Sequence, residues 1–179
     1  MSRLFIIEGA DCTGKSTLAR YMSRTLQAAY MHACGKQSLH TAMEDYHMSI
    51  LDNVRVCLDS NIHVILDRHW PSEWCYGRTL RMHISAGYRY SNIWEKLSDM
   101  DPHYVFCFRN NAHDIQVSSP DNDHPYCSSD YAQVYGEYKA LCTDMELGKI
   151  FAIDKPRITR HQFEEWKDKP GEFIEKVMV

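Results

Sequence analysis

The stretch from Gly9 to Thr17 constrains this chain more than any other. Its residues are Gly9, Ala10, Asp11, Cys12, Thr13, Gly14, Lys15, Ser16 and Thr17. They fit G-x-x-x-x-G-K-[ST], the loop that cradles phosphate groups in nucleoside-triphosphate enzymes. An apolar run precedes this loop, and apolar residues at helical spacing follow it from Leu18 to Leu26. The sequence therefore predicts a buried strand, a phosphate-binding loop and a helix.

Each fixed residue type in this loop has a physical task. Gly9 and Gly14 allow a tight turn that brings backbone N–H groups close to phosphate oxygens. The helix that begins near Gly14 points its unpaired N–H groups at the same anion. Lys15 is expected to reach the β- and γ-phosphates of ATP, and the Ser16 hydroxyl to bind Mg²⁺. All nine loop residues are predicted to contact the nucleotide.

The length of 179 residues predicts one domain, residues 1–179. A hydrophobic content of 44% and a charged content of 25% are ordinary for a soluble globular protein, and no apolar run is long enough to span a membrane. Because a core strand is predicted to begin at Leu4, we expect no signal peptide.

Charge and cysteine content limit the partners and the compartment. A net charge of −4 argues against a chain that binds nucleic acid over a wide basic surface, although a local basic groove stays open. The seven cysteines form no C-x-x-C pair, so reduced thiols and a cytoplasmic location are expected. A homodimer is one assembly that such a chain could form.

Strands and helices alternate along the sequence. Apolar runs predict five strands, at residues 4–7, 28–33, 63–66, 104–108 and 149–153. Helical periodicity predicts helices at 38–58, at 72–84 with Ser72 as the N-cap, after Ser91, at 129–146, and one or two near the end. This alternation predicts an α/β fold of three layers, a five-stranded parallel sheet with helices on both faces and ligands at the carboxyl ends of the strands.

Two further segments have distinct interpretations. Residues 110–129 are polar and contain Pro120 and Pro125, and a loop of that length is typical of a functional lid. In the helix that follows, the spacing of Tyr131, Tyr135 and Tyr138 is typical of a face that packs on the core.

A charged pair, Asp67-Arg68, follows the third predicted strand, and no N-K-x-D guanine signature occurs in the chain. The run from Phe5 to Thr17 resembles the opening of thymidylate kinases, and Asp67-Arg68-His69 resembles their D-R-[YH] segment. The resemblance extends over most of the chain and is strongest to short, divergent members often encoded by phages, in which S-E-x-x-Y-G follows. Here that segment is Ser72-Glu73-Trp74-Cys75-Tyr76-Gly77.

The resemblance implies a P-loop kinase fold and roles for particular residues. Asp11 would lie near the 3′-hydroxyl of the acceptor sugar, Arg68 would hold the acceptor phosphate, and Asp67 would lie near Mg²⁺ and its waters. The catalytic set is then Lys15, Asp11, Asp67 and Arg68, and the metal set is Ser16 and Asp67. The residues expected around the acceptor are Glu8, Asp11, Arg68, Trp70, Tyr76 and Arg81.

The chain departs from the family pattern in two places. Cys12 stands where family members often carry an arginine, and residues 110–138 contain no Lys or Arg. The missing charge is expected from another arginine, the candidates being Arg109, Arg78, Arg81, Arg157 and Arg160. The T-R-E-P stretch of the family is absent, and Lys36 could take the place of its arginine.

Three functions stay open at this point. The first is an ATP- and Mg²⁺-dependent kinase of a deoxynucleoside monophosphate, with dTMP as the acceptor. The second is a kinase whose acceptor is a hydroxyl group, on a deoxynucleoside or on a modified base in DNA, with Glu8 as general base. The third is a nucleotide-binding regulator without turnover. Since Asp67-Arg68-His69 stands where the deoxynucleoside kinases carry E-R-S, the sequence favours a phosphate acceptor.

Overall fold

The sheet is visible in the computed structural model of the chain, which describes residues 1–33, 43–80, 89–110, 128–150 and 156–179. Its five strands run parallel in the order β2-β3-β1-β4-β5. They are β1 (Leu4–Glu8), β2 (Ala29–His32), β3 (Val64–Asp67), β4 (His103–Phe108) and β5 (Arg157–Gln162). The predicted α/β class and the parallel sheet are confirmed.

Helices connect the strands and follow the last one. They are α1 (Lys15–Leu26), α2 (Met43–Asp59), α3 (Trp70–Thr79), α4 (Tyr90–Ser98), α5 (Ser128–Glu146), α6 (Phe163–Trp166) and α7 (Pro170–Met178). Within the described ranges, none of them combines the length and the apolar character needed to cross a membrane.

The side chains of β1 show why helices cover both faces of the sheet. Leu4 and Ile6 point to one face and pack with residues of α2, α3, α4 and α5. Phe5 and Ile7 point to the other face and pack with residues of α1 and α7. A strand buried on both sides needs apolar residues at consecutive positions, which explains the unbroken run in the sequence.

The predicted position of the fifth strand is wrong. Lys149 and Ile150 are not in a strand; the backbone N–H of Lys149 donates to Asp144 O at 2.8 Å as the chain leaves α5. Residues 151–153 lie outside the described ranges. The strand that pairs with β4 is Arg157–Gln162, whose residues are mostly exposed or half-buried. An edge strand of this kind lacks the apolar run on which the prediction depended.

The N-cap of the helix after β3 lies three residues earlier than predicted. Trp70 is its first residue and His69 its N-cap, so Ser72 lies inside the first turn and is not the cap. Pro71 fits the first turn, where its missing N–H costs no hydrogen bond. The part of the prediction beyond Leu80 lies outside the described residues, as does the stretch 38–42 at the start of the helix predicted before β3.

Truncation of Phe173 should destabilise the fold strongly. Its side chain is fully buried between α7 and the sheet, in edge contact with Trp166 and with His161 of β5. We expect Phe173→Ala to lower the free energy of unfolding by about 3–5 kcal/mol, measured by urea denaturation. The control is Val56→Ala, since Val56 is 65% exposed on α2, and its effect should stay within about 0.5 kcal/mol. Equal effects of the two substitutions would contradict the assignment of α7 to the core.

Candidate active site

The loop between β1 and α1 needs both of its glycines. A Cβ atom at Gly9 would lie 2.5 Å from Cys107 O, and one at Gly14 would lie 2.6 Å from Cδ2 of Phe163. Both residues have positive φ, 146° and 82°. In the described part of the chain no side chain caps α1, so its first N–H groups can bind an anion. The geometry supports the phosphate-binding interpretation of the loop.

Lys15 is held against this loop. Its Nζ donates to Ala10 O at 3.3 Å and lies 3.5 Å from Asp11 Oδ1. Burial lowers the pKa of Lys15 to about 8, and the positive charge of Arg68 acts in the same direction, against the attraction of Asp11 and Asp67. The lysine is therefore a buried cation whose charge depends on nearby anions.

Arg68 connects the end of β3 with three other elements. Its guanidinium binds Asp11 in the loop, and it donates to Ser72 Oγ of α3 at 3.1 Å and to Tyr138 Oη of α5 at 3.3 Å. The guanidinium also lies over the ring of Tyr76, 5.4 Å from its centroid. Among the described residues, the ion pair of Arg68 is therefore with Asp11 of the loop, although Asp67 is its neighbour in sequence.

Glu8, the last residue of β1, lies in the same network. The backbone N–H of His69 donates to Oε1 at 2.5 Å, while the hydroxyls of Ser72 and Tyr138 lie 2.9 and 3.3 Å from Oε2. Complete burial raises the pKa of Glu8 to about 7, although the charge of Arg68 and these hydrogen bonds favour the ionised form.

The pKa of Asp11 is shifted in the opposite direction to that of Glu8. It accepts a hydrogen bond from the Tyr76 hydroxyl at 2.9 Å in addition to its contacts with Arg68 and Lys15. Burial by itself would raise its pKa, but the two cations and the hydroxyl outweigh that effect and lower the pKa to about 2. Asp11 is therefore a fixed negative charge between two cations.

Asp67 ends β3 on the side of the sheet that faces α1. Its Oδ2 accepts from the Tyr30 hydroxyl at 2.9 Å and lies 3.2 Å from Nδ1 of His32. Its Oδ1 is buried and has no hydrogen-bond partner among the described residues. Burial, followed by the charge of Asp67, raises the pKa of Tyr30 to about 12, so this hydroxyl stays a donor.

Several residues predicted to surround the acceptor fall into different environments. Tyr76 is buried, and its hydroxyl belongs to the network described above. Trp70 is fully buried; its Nε1 donates to the Tyr104 hydroxyl at 3.0 Å, and edge contacts with Trp74 and Trp94 surround it. The structure therefore places Trp70 in the core. Arg81, Lys36 and residues 111–127 of the predicted lid lie outside the described residues.

Among the described candidates for the missing positive charge, Arg109 is next to the loop. Its guanidinium lies 4.5 Å from the ring centroid of Phe163, the same ring that packs on Gly14. The other three pair with acids elsewhere, Arg78 with Glu137, Arg160 with Glu146 and Arg157 with Asp101. In the sheet register, Arg157 of β5 lies beside His103 of β4. Both are at the amino ends of their strands, on the edge of the sheet opposite to the loop.

Four residues of this site were not among the predicted ones: Ser72, Tyr138, Tyr30 and His32. The spacing of Arg68, Ser72 and Tyr76 at intervals of four could have indicated that they share a face of the chain at the start of α3. Tyr138 was assigned to the core, and it is buried, but its hydroxyl faces Glu8 and Arg68. Only the tertiary structure brings α5 to β1.

The fold, a five-stranded parallel sheet between helices, is the P-loop kinase fold. The structure is similar to the YorR protein of Bacillus subtilis in complex with phosphorylated GDP, with a TM-score of 0.65 and 16% identity over 98% of this chain and 93% of that one. It is also similar to thymidylate kinase from Candida albicans, with a TM-score of 0.57 and 18% identity over 98% and 92%. No family model and no curated protein matches the sequence.

Glu8 should make stability depend on pH. The fold raises the pKa of Glu8 from 4.5 to about 7, so the folded state binds the proton more tightly than the unfolded state. Protonation of Glu8 therefore stabilises the fold at low pH, and this stabilisation is lost as the pH rises from 4.5 to about 7. Relative to Glu8→Gln, the wild-type free energy of unfolding should fall by on the order of 3 kcal/mol across this interval and stay level above it. Urea denaturation of both proteins at several pH values measures this, and parallel curves would contradict it.

Proposed function

We propose that this chain is an ATP- and Mg²⁺-dependent kinase that transfers a phosphoryl group to a deoxynucleoside monophosphate, dTMP being the acceptor that the sequence favours. The observation that carries the proposal is the convergence of Lys15 and Arg68 on Asp11. Transfer between two anionic substrates requires cations on both sides of the moving group. One cation belongs to the phosphate loop and the other to the end of β3.

We infer a side of the site for each substrate from this arrangement. The loop and the N-terminus of α1 suit the donor triphosphate. Arg68 binds Asp11 of the loop through Nη2 and contacts α3 and α5 through Nη1, where its planar guanidinium could exchange the Ser72 and Tyr138 contacts for phosphate oxygens of the acceptor. Asp11 lies between Lys15 and Arg68, and in this proposal it orients the acceptor sugar. The two substrates would then meet at the carboxyl edge of the sheet, as is usual in open α/β folds.

A divalent cation fits the donor side. Ser16 is in the first turn of α1, and Asp67 presents a buried oxygen without a partner among the described residues. In the described ranges no group of three or more His, Cys, Asp or Glu side chains could hold a metal by itself. One hydroxyl and one carboxylate, from Ser16 and Asp67, suit Mg²⁺, which is usually bound through one or two protein ligands, substrate phosphates and water. When bound, Mg²⁺ would neutralise charge on the phosphates.

A kinase with a hydroxyl acceptor is the second candidate, and Glu8 is the observation that favours it. A carboxylate with a pKa of about 7 is well matched to act as a general base at neutral pH. Against it, Glu8 has no exposed surface, and donors occupy both of its oxygens. We therefore place the phosphate acceptor first.

One screen separates the candidates. ADP release from Mg-ATP should be measured with thymidine, dTMP, other deoxynucleoside monophosphates and single-stranded oligonucleotides as acceptors. The proposal expects turnover with a monophosphate and not with the nucleosides. Turnover with a nucleoside or an oligonucleotide supports the hydroxyl-acceptor kinase, whereas nucleotide binding without turnover of any acceptor supports the non-catalytic regulator.

Removal of the Lys15 side chain should abolish transfer. Its ammonium is the loop's charge over the donor phosphates, so we expect Lys15→Ala to lower kcat by about 100-fold or more. The fold should survive, because in the described structure Nζ contacts only the loop itself, and circular dichroism can verify this. Lys167→Ala, at an exposed position after α6, is the matched control and should keep wild-type activity. Near wild-type turnover of Lys15→Ala would overturn the kinase proposal.

Arg68 should act on the acceptor and contribute little to ATP binding. We expect Arg68→Lys to lower kcat and raise the acceptor KM, since a lysine cannot bind two phosphate oxygens in the same plane. ATP affinity without acceptor, measured by calorimetry, should stay within a few-fold. Arg78→Lys is the control, because Arg78 pairs with Glu137 at the surface. Loss of ATP affinity with an unchanged acceptor KM would assign Arg68 to the donor side.

A further inference from the structure

The two carboxylate oxygens of Asp67 have unequal surroundings. Oδ2 has two neighbours, the Tyr30 hydroxyl at 2.9 Å and His32 Nδ1 at 3.2 Å. Oδ1 is buried without a hydrogen-bond partner in the described part of the chain. A buried carboxylate oxygen without a donor is unfavourable, because it has lost its water and gained nothing in return. Such an oxygen indicates a ligand that supplies the missing contact.

The sheet register explains how β2 reaches Asp67. His32 pairs with Asp67 and Tyr30 with Ile65 along the parallel strands. Residues two apart on a strand share a face, so Tyr30 and His32 lie on the same face as Ile65, the face that packs on α1. This is the side on which the phosphate loop joins α1. The bare oxygen of Asp67 is thus on the donor side of the site.

Two residues of helix α1, Arg20 and Lys15, also interact with Tyr30 and Asp67. The Arg20 side chain interacts with the Tyr30 hydroxyl and acts to lower its pKa, against the effects of burial and of Asp67. Arg20 is four residues after Ser16, and residues at that spacing lie on the same side of a helix. Asp67 also attracts the ammonium of Lys15. The Tyr30 hydroxyl therefore lies between the helix that carries Ser16 and the strand that carries Asp67.

We propose that Tyr30 is a positioning residue for the divalent cation of the donor nucleotide: its hydroxyl fixes Asp67 Oδ2 and thereby keeps Oδ1 directed toward the cation and its water shell. The inference rests on the proposed function, since the cation enters with ATP. A carboxylate that has lost this donor is free to turn, and either oxygen can then pair with His32. Hydrogen bonds to metal-binding carboxylates commonly set metal affinity in this way.

Tyr30→Phe tests the proposal because it removes the hydroxyl and keeps the ring that packs against α1. Calorimetry should compare the binding of ADP to wild type and variant with EDTA and with saturating Mg²⁺. We expect the affinity for metal-free ADP to be unchanged and the gain in affinity given by Mg²⁺ to fall by about tenfold. In turnover assays the variant should need more Mg²⁺ and recover activity when Mg²⁺ is raised.

Two comparisons isolate the positioning role. Tyr21→Phe removes a hydroxyl from α1 at a residue that is 40% exposed, and it should leave the Mg²⁺ dependence unchanged. Asp67→Asn should reduce the gain given by Mg²⁺ at least as much as Tyr30→Phe, and the double variant should be no worse than Asp67→Asn alone. A structural role would instead add its effect to that of Asp67→Asn.

The outcomes distinguish this inference from the proposed function. If wild type binds Mg-ADP and transfers phosphate while Tyr30→Phe keeps the full gain from Mg²⁺, the inference is overturned and the kinase proposal stands. Equal loss of metal-free and Mg-bound ADP affinity in the variant also overturns it, because the defect would then lie in the loop or the fold. If wild type binds no nucleotide, the proposed function fails and the inference falls with it.

Discussion

The guanidinium of Arg68 is the interaction on which the site depends. It lies among the two acids Glu8 and Asp11 and the hydroxyls of Ser72 and Tyr138, and so connects β1, the phosphate loop, α3 and α5. The charge of Arg68 acts to lower the pKa of both acids and so favours their ionised forms. Loss of one partner of such a group commonly costs about 3–5 kcal/mol, because an unpaired charge stays buried. The arginine therefore maintains the architecture of the site as well as its charge.

The backbone is shaped to present this side chain. Arg68 has a φ of 71°, in the left-handed region that non-glycine residues seldom occupy. Its N–H donates to Ile7 O at 3.0 Å, and the next N–H, of His69, donates to Glu8. These bonds attach the turn after β3 to the end of β1. Unfavourable backbone geometry of this kind persists where surrounding contacts hold it, and it clusters at functional sites.

Much of this arrangement could be predicted from the sequence because it depends on local signals. The glycines at 9 and 14, the apolar strand and the following helix fixed the loop, and Asp67-Arg68 indicated the second group of charges. The strand Arg157–Gln162 was missed because an edge strand carries few apolar residues. Trp70 was assigned to the acceptor pocket because its position in the chain, between Arg68 and Tyr76, gives no sign that its ring turns into the core. Tyr30 and Tyr138 reach the site only through sheet register and helix packing, which no spacing in the sequence reveals.

The packing of Phe163 on Gly14 has a consequence for how the protein is made. The loop leaves the ribosome well before the ring that supports it, which lies about 150 residues later in the chain. The central strand β1 likewise pairs with β4, which is synthesised some hundred residues after it. Contacts so far apart in sequence form slowly and cannot form before the later segment exists. At the usual rates of translation the nascent chain therefore spends several seconds or more with this loop unsupported, and the packing around the loop can be completed only after the segment that carries Phe163 has been synthesised.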